Sequence, residues 1–131
     1  MNKYRIVLLS GDGIGPEITS VTKRILEAIG SKYGFQLIFD EQLIGGSALE
    51  KVGLPLPSRT IDACKSSDAV LLAAIGDPKF DNIERDKRPE SGLLSLREAL
   101  GLFANIRPVK IYSSLKEASS LKENIINGVD L

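Results

Sequence analysis

Short apolar runs alternate along this chain with stretches of helical period, and that alternation restricts the fold more than any other feature. Tyr4–Leu9 (YRIVLL) predicts a buried strand, and 17–33 a helix whose inner face carries Ile18, Val21, Ile25, Leu26 and Ile29. Gln36–Asp40 predicts a second strand, followed by a glycine turn at Gly45-Gly46 and a short helix over 48–52. Pro55 and Pro57 interrupt the chain before another helix, 58–66. Ala69–Ala74 (AVLLAA) predicts the third strand, nearly continuous in apolar residues, as expected where both sheet faces are covered. A loop from Gly76 to Pro89 leads into a further helix. Phe103–Tyr112 is then extended, and Pro108 inside it points to an edge or a domain crossing. The alternation predicts an α/β fold with a largely parallel sheet flanked by helices.

Composition excludes whole classes of function. The length of 131 residues suits one domain. Seventeen basic and seventeen acidic residues cancel, so no net field draws the chain to nucleic acid or to an anionic membrane. No apolar run approaches the roughly 20 residues of a membrane span, and Ile6–Leu9 is too short for a signal peptide, which makes the cytoplasm the expected location. With no histidine there is no Ser-His-Asp triad and no His-ligated zinc. With one cysteine there is no internal disulfide, and Cys64, in an amphipathic stretch, reads as a packing residue.

Two glycine loops and one helix hold the candidate chemistry. Ser10–Glu17 (SGDGIGPE) joins the first strand to the first helix, with Pro16 suited to position N1. A phosphate cradle is the tempting reading, but the spacing fits neither G-x-G-x-x-G nor Walker A, and Asp12 would repel a phosphate; a tight structural turn is at least as good an account. The second loop, Ile75–Phe80 (IGDPKF), follows the third strand, and both loops belong at the carboxyl ends of the strands, where open α/β sheets bind ligands. In Arg88–Pro108 (RPESGLLSLREALGLFANIRP), Glu90, Leu93, Leu94 and Arg97 fall at i, i+3, i+4 and i+7, on a single helical stripe. It is apolar in the middle and charged at both ends, which suits a ligand with a hydrocarbon part and carboxylates; ordinary core packing is the rival account of the leucines. The final residues, IINGVDL, read as a helix end, a stop at Gly128 and the opening of a strand, the pattern of a truncated chain.

GDGIGPE at 11–17, GGSALE at 45–50, LPLP at 54–57, AVLLAAIGDPKF at 69–80 and the 88–108 segment occur in the order and spacing of the β-decarboxylating dehydrogenases. The chain resembles the N-terminal part of that isocitrate/isopropylmalate dehydrogenase family, and within it the isopropylmalate-oxidising branch of leucine biosynthesis. The resemblance implies hydride transfer from a 2-hydroxy dicarboxylic acid to NAD, then loss of CO₂ with a Mg or Mn ion stabilising the enolate. It implies that Arg97 and Arg107 hold substrate carboxylate through paired, charge-assisted hydrogen bonds. Leu93 and Leu94 would receive the isopropyl branch. Glu90 would lie near the nicotinamide, Ile75, Gly76, Asp77, Pro78 and Lys79 would line the same region, and Ile14 would lie against the adenine, which removes the cradle reading of the first loop. Isocitrate enzymes resemble the chain in the glycine loop but carry polar residues at 93 and 94, since a carboxylate buried against two leucines is costly. Homoisocitrate and tartrate relatives, or a non-catalytic binding or dimerisation fragment, are the alternatives.

The resemblance further implies that residues 1–102 begin the large cofactor-side domain and 103–131 the smaller domain of a homodimer. The family's catalytic Tyr and Lys and its metal-binding aspartates would follow Leu131, so neither a catalytic residue nor a metal ligand is expected in this chain, and the isolated chain is expected to be inactive. One departure stands out. Many relatives read Gly-Gly-Pro-Lys-Trp where this chain has Gly76-Asp77-Pro78-Lys79-Phe80, which sets an extra charge beside the expected cofactor.

Overall fold

The computed structural model describes residues 1–130. Three parallel strands form its sheet in the order β2-β1-β3: β1 (Asn2–Gly11), β2 (Phe35–Glu41) and β3 (Ala69–Ala74). Asn2 faces Phe35 on one side of β1 and Ile6 faces Ala69 on the other. Helix α1 (Gly15–Tyr33) carries the chain from β1 to β2, and α2 (Gly46–Val52) and α3 (Ser58–Lys65) carry it back across to β3. Right-handed crossovers in opposite directions set α1 on one face and α3 on the other. Two 3₁₀ turns, Pro78–Phe80 and Arg85–Lys87, then lead into α4 (Pro89–Ala99).

The core grows from the middle strand. Val7, Leu8 and Leu9 are fully buried, and alternation sends Val7 and Leu9 to one face and Leu8 to the other. Val7 and Leu9 cluster with Ile44, Cys64 and Leu96, backed by Leu56, Ile61, Val70, Leu72 and Leu100. Cys64 is thus a packing residue, its thiol pushed up first by burial and then by the nearby Asp40 carboxylate. Thr60, 1% exposed, satisfies its hydroxyl by donating to Leu43 O at 2.7 Å.

Two expectations are corrected. On α1, Ile18, Val21, Ile25 and Ile29 are exposed, and Leu26 alone of the expected inner face is half-buried. The buried positions are Gly15, Thr19 and Gly30. Close approach explains this: a Cβ on Gly15 would stand 1.8 Å from Ser10 O, and one on Gly30 2.8 Å from Phe35 O. The helix lies on the strands through small side chains, and its apolar stripe flanks that contact. Gly15 therefore opens the helix, one residue before Pro16, so the proline stands at the second helical position. The second correction concerns β3, which is half-buried along Val70–Ala74 because it lies at an edge of the sheet; β1 is the strand enclosed on both sides.

Beyond α4 the chain has no regular secondary structure over 102–109 and makes a 3₁₀ turn, Ser113–Ala118, before α5 (Glu123–Ile126). Asn127 caps α5, Gly128 follows it in a turn with φ +80°, and Lys110 and Asp130 form an antiparallel bridge. The expected opening of a strand reaches its last residue, Leu131, outside the described residues. No helix among the described residues is long and apolar enough to cross a membrane. The accessible surface is 9410 Å², against about 6,800 Å² for a compact monomer of this mass. The largely exposed 102–130 segment and the bare apolar side of α1 contribute to that excess.

Candidate functional site

The carboxyl ends of the three strands release the chain into loops at 12–14, 42–45 and 75–77, and these gather at one end of the sheet. Asp12 N donates to Ala74 O at 2.8 Å, Gln42 N to Leu8 O at 3.0 Å and Gly45 N to Pro55 O at 2.8 Å. The Asp12 side chain, 5% exposed, accepts from Ser47 N and Gly76 N and so joins the first loop to α2 and to the third loop. Gly76 takes φ +115°, a conformation open to glycine, and Glu90 Oε1 stands 3.1 Å from where its Cβ would be. A Cβ on Gly13 would lie 3.8 Å from Gly76 O. Gly76 and Glu90 are therefore neighbours, and Ile14, 66% exposed, stands one residue beyond Gly13 on the same rim.

Along this rim Asp77 and Lys79 are engaged with their own loop. Asp77 Oδ1 accepts from Lys79 N at 3.0 Å, capping the Pro78–Phe80 turn, and its other oxygen lies 3.5 Å from Lys79 Nζ. Lys79 Nζ also pairs with Glu50 on α2 at 2.6 Å and stands 5.1 Å from the Phe80 ring centre. These contacts hold the Lys79 ammonium above its usual range, chiefly through the Glu50 hydrogen bond. The extra charge at Asp77 is thus matched inside the loop. Arg88 steadies the following stretch by donating to Asp81 O at 2.7 Å and Ile83 O at 3.3 Å.

Helix α4 starts with Pro89 in its first turn and Glu90 beside the amide end, where a negative charge is favoured. Its core side is Pro89, Gly92 and Leu96, with Leu100 just beyond it. A Cβ on Gly92 would stand 2.5 Å from Pro55 O, so the helix rests directly on that loop. Leu93 is half-buried and Leu94 is 64% exposed, so Leu94 turns away from the core. Arg97, half-buried, borders a shallow cleft of about 270 Å³ with Leu102, Phe103, Ala104 and Asn105. Arg107 is exposed in the segment that follows α4. The structure thus gathers Ile75–Lys79 and Glu90 at the strand ends, with Leu93, Leu94 and Arg97 along the same helix as Glu90. Sequence reasoning missed Glu50, Phe80 and the carboxylate of Asp12 as organisers of the rim. The nearest signal was an aspartate between two glycines, a poor place for a phosphate to bind.

The family described as isocitrate/isopropylmalate dehydrogenase matches residues 5–131. The chain belongs to that family. Membership accounts for the parallel sheet and for the glycine loops at its carboxyl edge. A 3-isopropylmalate dehydrogenase of Parasynechococcus marenigrum (strain WH8102) is 63% identical over the whole chain, which covers 37% of that protein. One of Synechococcus sp. (strain CC9902) is 61% identical, again over the whole chain and 37% of the relative. The chain therefore spans little more than a third of the length of these isocitrate/isopropylmalate dehydrogenase family members. Among solved structures, a β-decarboxylating dehydrogenase from Thermococcus kodakarensis superposes with TM-score 0.67 at 31% identity, covering 82% of this chain and 30% of that one. An isocitrate dehydrogenase from Methylococcus capsulatus gives TM-score 0.67 at 35% identity, covering 84% of this chain and 29% of that one.

Proposed function

We propose that this chain supplies the cofactor rim and part of the substrate pocket of an NAD-dependent 3-isopropylmalate dehydrogenase. The observation that carries the reading is the division of α4: Leu96 enters the core while Leu94, 64% exposed, stands one turn from Arg97 on the open side. In this reading Arg97 grips a substrate carboxylate with a planar fork of N–H donors. Leu93 and Leu94 receive the aliphatic branch, and a third carboxylate in its place would be stranded against them. Arg107 adds a second cation for the substrate.

The rim residues fit a dinucleotide in three respects. Gly76 offers backbone without a side chain, Ile14 offers an exposed apolar surface for a flat base, and Glu90 stands beside Gly76. NAD, when bound, accepts the hydride from the carbinol carbon. The hydroxyl proton leaves, the carboxylate β to the new ketone departs as CO₂, and the remaining enolate takes up a proton to give 4-methyl-2-oxopentanoate. Arg97 orients the acid through these steps, and the leucine side of α4 keeps water from the branch. Among the described residues no three His, Cys, Asp or Glu side chains come together as a metal site requires. The homodimer, the cytoplasmic location and the division into 1–102 and 103–131 belong to the same proposal and rest on family membership.

The test joins residues 1–131 to the unmatched remainder of the Parasynechococcus marenigrum relative and follows cofactor reduction. Turnover of 3-isopropylmalate well above that of isocitrate is the expected result, with none from the 131 residues alone. Preference for isocitrate, or turnover by the short chain, overturns the reading.

A further inference from the structure

Asp12 is buried, charged and unused by the reaction proposed above. Its Oδ1 accepts from Ser47 N at 2.8 Å and its Oδ2 from Gly76 N at 3.0 Å, partners 35 and 64 residues away in the chain. Its backbone is held as well: Asp12 N donates to Ala74 O and Gly15 N donates to Asp12 O, both at 2.8 Å. One residue thus touches the end of β1, the start of α1, the first turn of α2 and the exit of β3. A carboxylate taken out of water is held firmly by the amides that replace its hydration, because withdrawing either one leaves a charge undercompensated.

The double glycine makes room for it. A Cβ on Gly45 would stand 2.7 Å from Asp12 Oδ2. One on Gly46 would stand 3.0 Å from Oδ1 and 2.2 Å from Phe80 Cε2. Gly45-Gly46 is therefore a slot shaped on one side for a carboxylate and on the other for an aromatic ring of the 75–80 loop. The exposed Lys79–Glu50 pair spans the same two elements, but solvent screens it. The amides that an external phosphate would need are already taken by this internal anion.

We propose that Asp12 is a positioning residue: its carboxylate clamps Gly76 to the first turn of α2 and so sets the cofactor rim beside Glu90. The structural half of the claim stands by itself; its consequence for catalysis rests on the dehydrogenase reading.

Two measurements separate them. Hydrogen exchange followed by NMR on the 131-residue chain compares the parent with Asp12→Asn and Asp12→Ala. Both Ser47 and Gly76 amides are expected to be protected in the parent and to exchange about tenfold or more faster in Asp12→Ala, as for loss of a hydrogen bond to a charged group. Amides of β2 and α3 should hold their rates. Asp12→Asn keeps one acceptor oxygen and should release one of the two amides, which preserves the test if the alanine variant does not fold. Unprotected amides in the parent, or unchanged rates in both variants, overturn the clamp. In the full-length chimaera Asp12→Asn should raise KM for NAD about tenfold while kcat falls less than about threefold. A lowered melting temperature with KM for NAD unchanged reduces Asp12 to a fold residue and overturns positioning. A parent chimaera inert toward 3-isopropylmalate refutes the substrate reading, and the exchange rates still decide the clamp.

Discussion

Truncating the two leucines that straddle α4 should have opposite consequences. Leu96 is 4% exposed and packs in the cluster with Val7, Leu9, Ile44 and Cys64. Leu→Ala removes three carbons at about 0.8 kcal/mol each, and the unrelaxed cavity brings the total to about 3 kcal/mol. Leu94 is 64% exposed, so only about a third of the same transfer term applies and Leu94→Ala should cost under about 1 kcal/mol. Urea unfolding followed by circular dichroism resolves the difference. With a slope of about 1.5 kcal/mol/M, Leu96→Ala should lower the midpoint by about 2 M and Leu94→Ala by about 0.5 M or less. In the chimaera the ranking reverses for substrate, and Leu94→Ala should weaken selection for the branched acid by roughly tenfold, the scale of losing methylene contacts in an apolar pocket. Equal destabilisation by the two variants would refute the division of the helix into a core side and an open side.

Gly15→Ala sets a Cβ 1.8 Å from Ser10 O; neither the helix start nor the strand end can yield, so a loss of about 3 kcal/mol or more is expected in thermal melts. The raised Cys64 thiol should react much more slowly with a thiol reagent at mildly alkaline pH in the folded chain than in urea. Its shift also makes a contribution to stability that is complete below the ordinary thiol range and lost as pH rises through the folded value, so alkaline titration of the melt should show a decline that Cys64→Ala lacks. Arg97→Ala in the chimaera should lower kcat/KM for 3-isopropylmalate about 10- to 100-fold, the scale of a lost charged hydrogen bond, and leave KM for NAD unchanged.

Most elements were legible because each writes its period locally. The β2 and α3 boundaries fall within one residue of the sequence expectation, and those of α1 and α2 within two; β3 coincides with it. Periodicity failed where packing is set by what is missing. The five apolar positions of α1 mark a stripe, yet Gly15, Thr19 and Gly30 win the contact with the sheet because a strand can approach only where side chains are short. Strand order escaped a local reading too: the continuous apolar run of Ala69–Ala74 suggested an enclosed strand, and enclosure fell to β1. For the candidate site, spacing located the α4 stripe and topology located the loops, while individual roles came through the resemblance. The Asp12 contacts link residues far apart in sequence, a relation no window of neighbouring letters contains.

The strand order sets a schedule for synthesis. Of the three strands, β1 is synthesised first and becomes the middle of the sheet, and its second neighbour ends at Ala74. At about 5–20 residues per second the nascent chain carries Val7, Leu8 and Leu9 for several seconds before both flanks arrive. Through that wait three apolar side chains of the future core are uncovered, and cells that slow translation over 35–74 should see more of the product captured by chaperones.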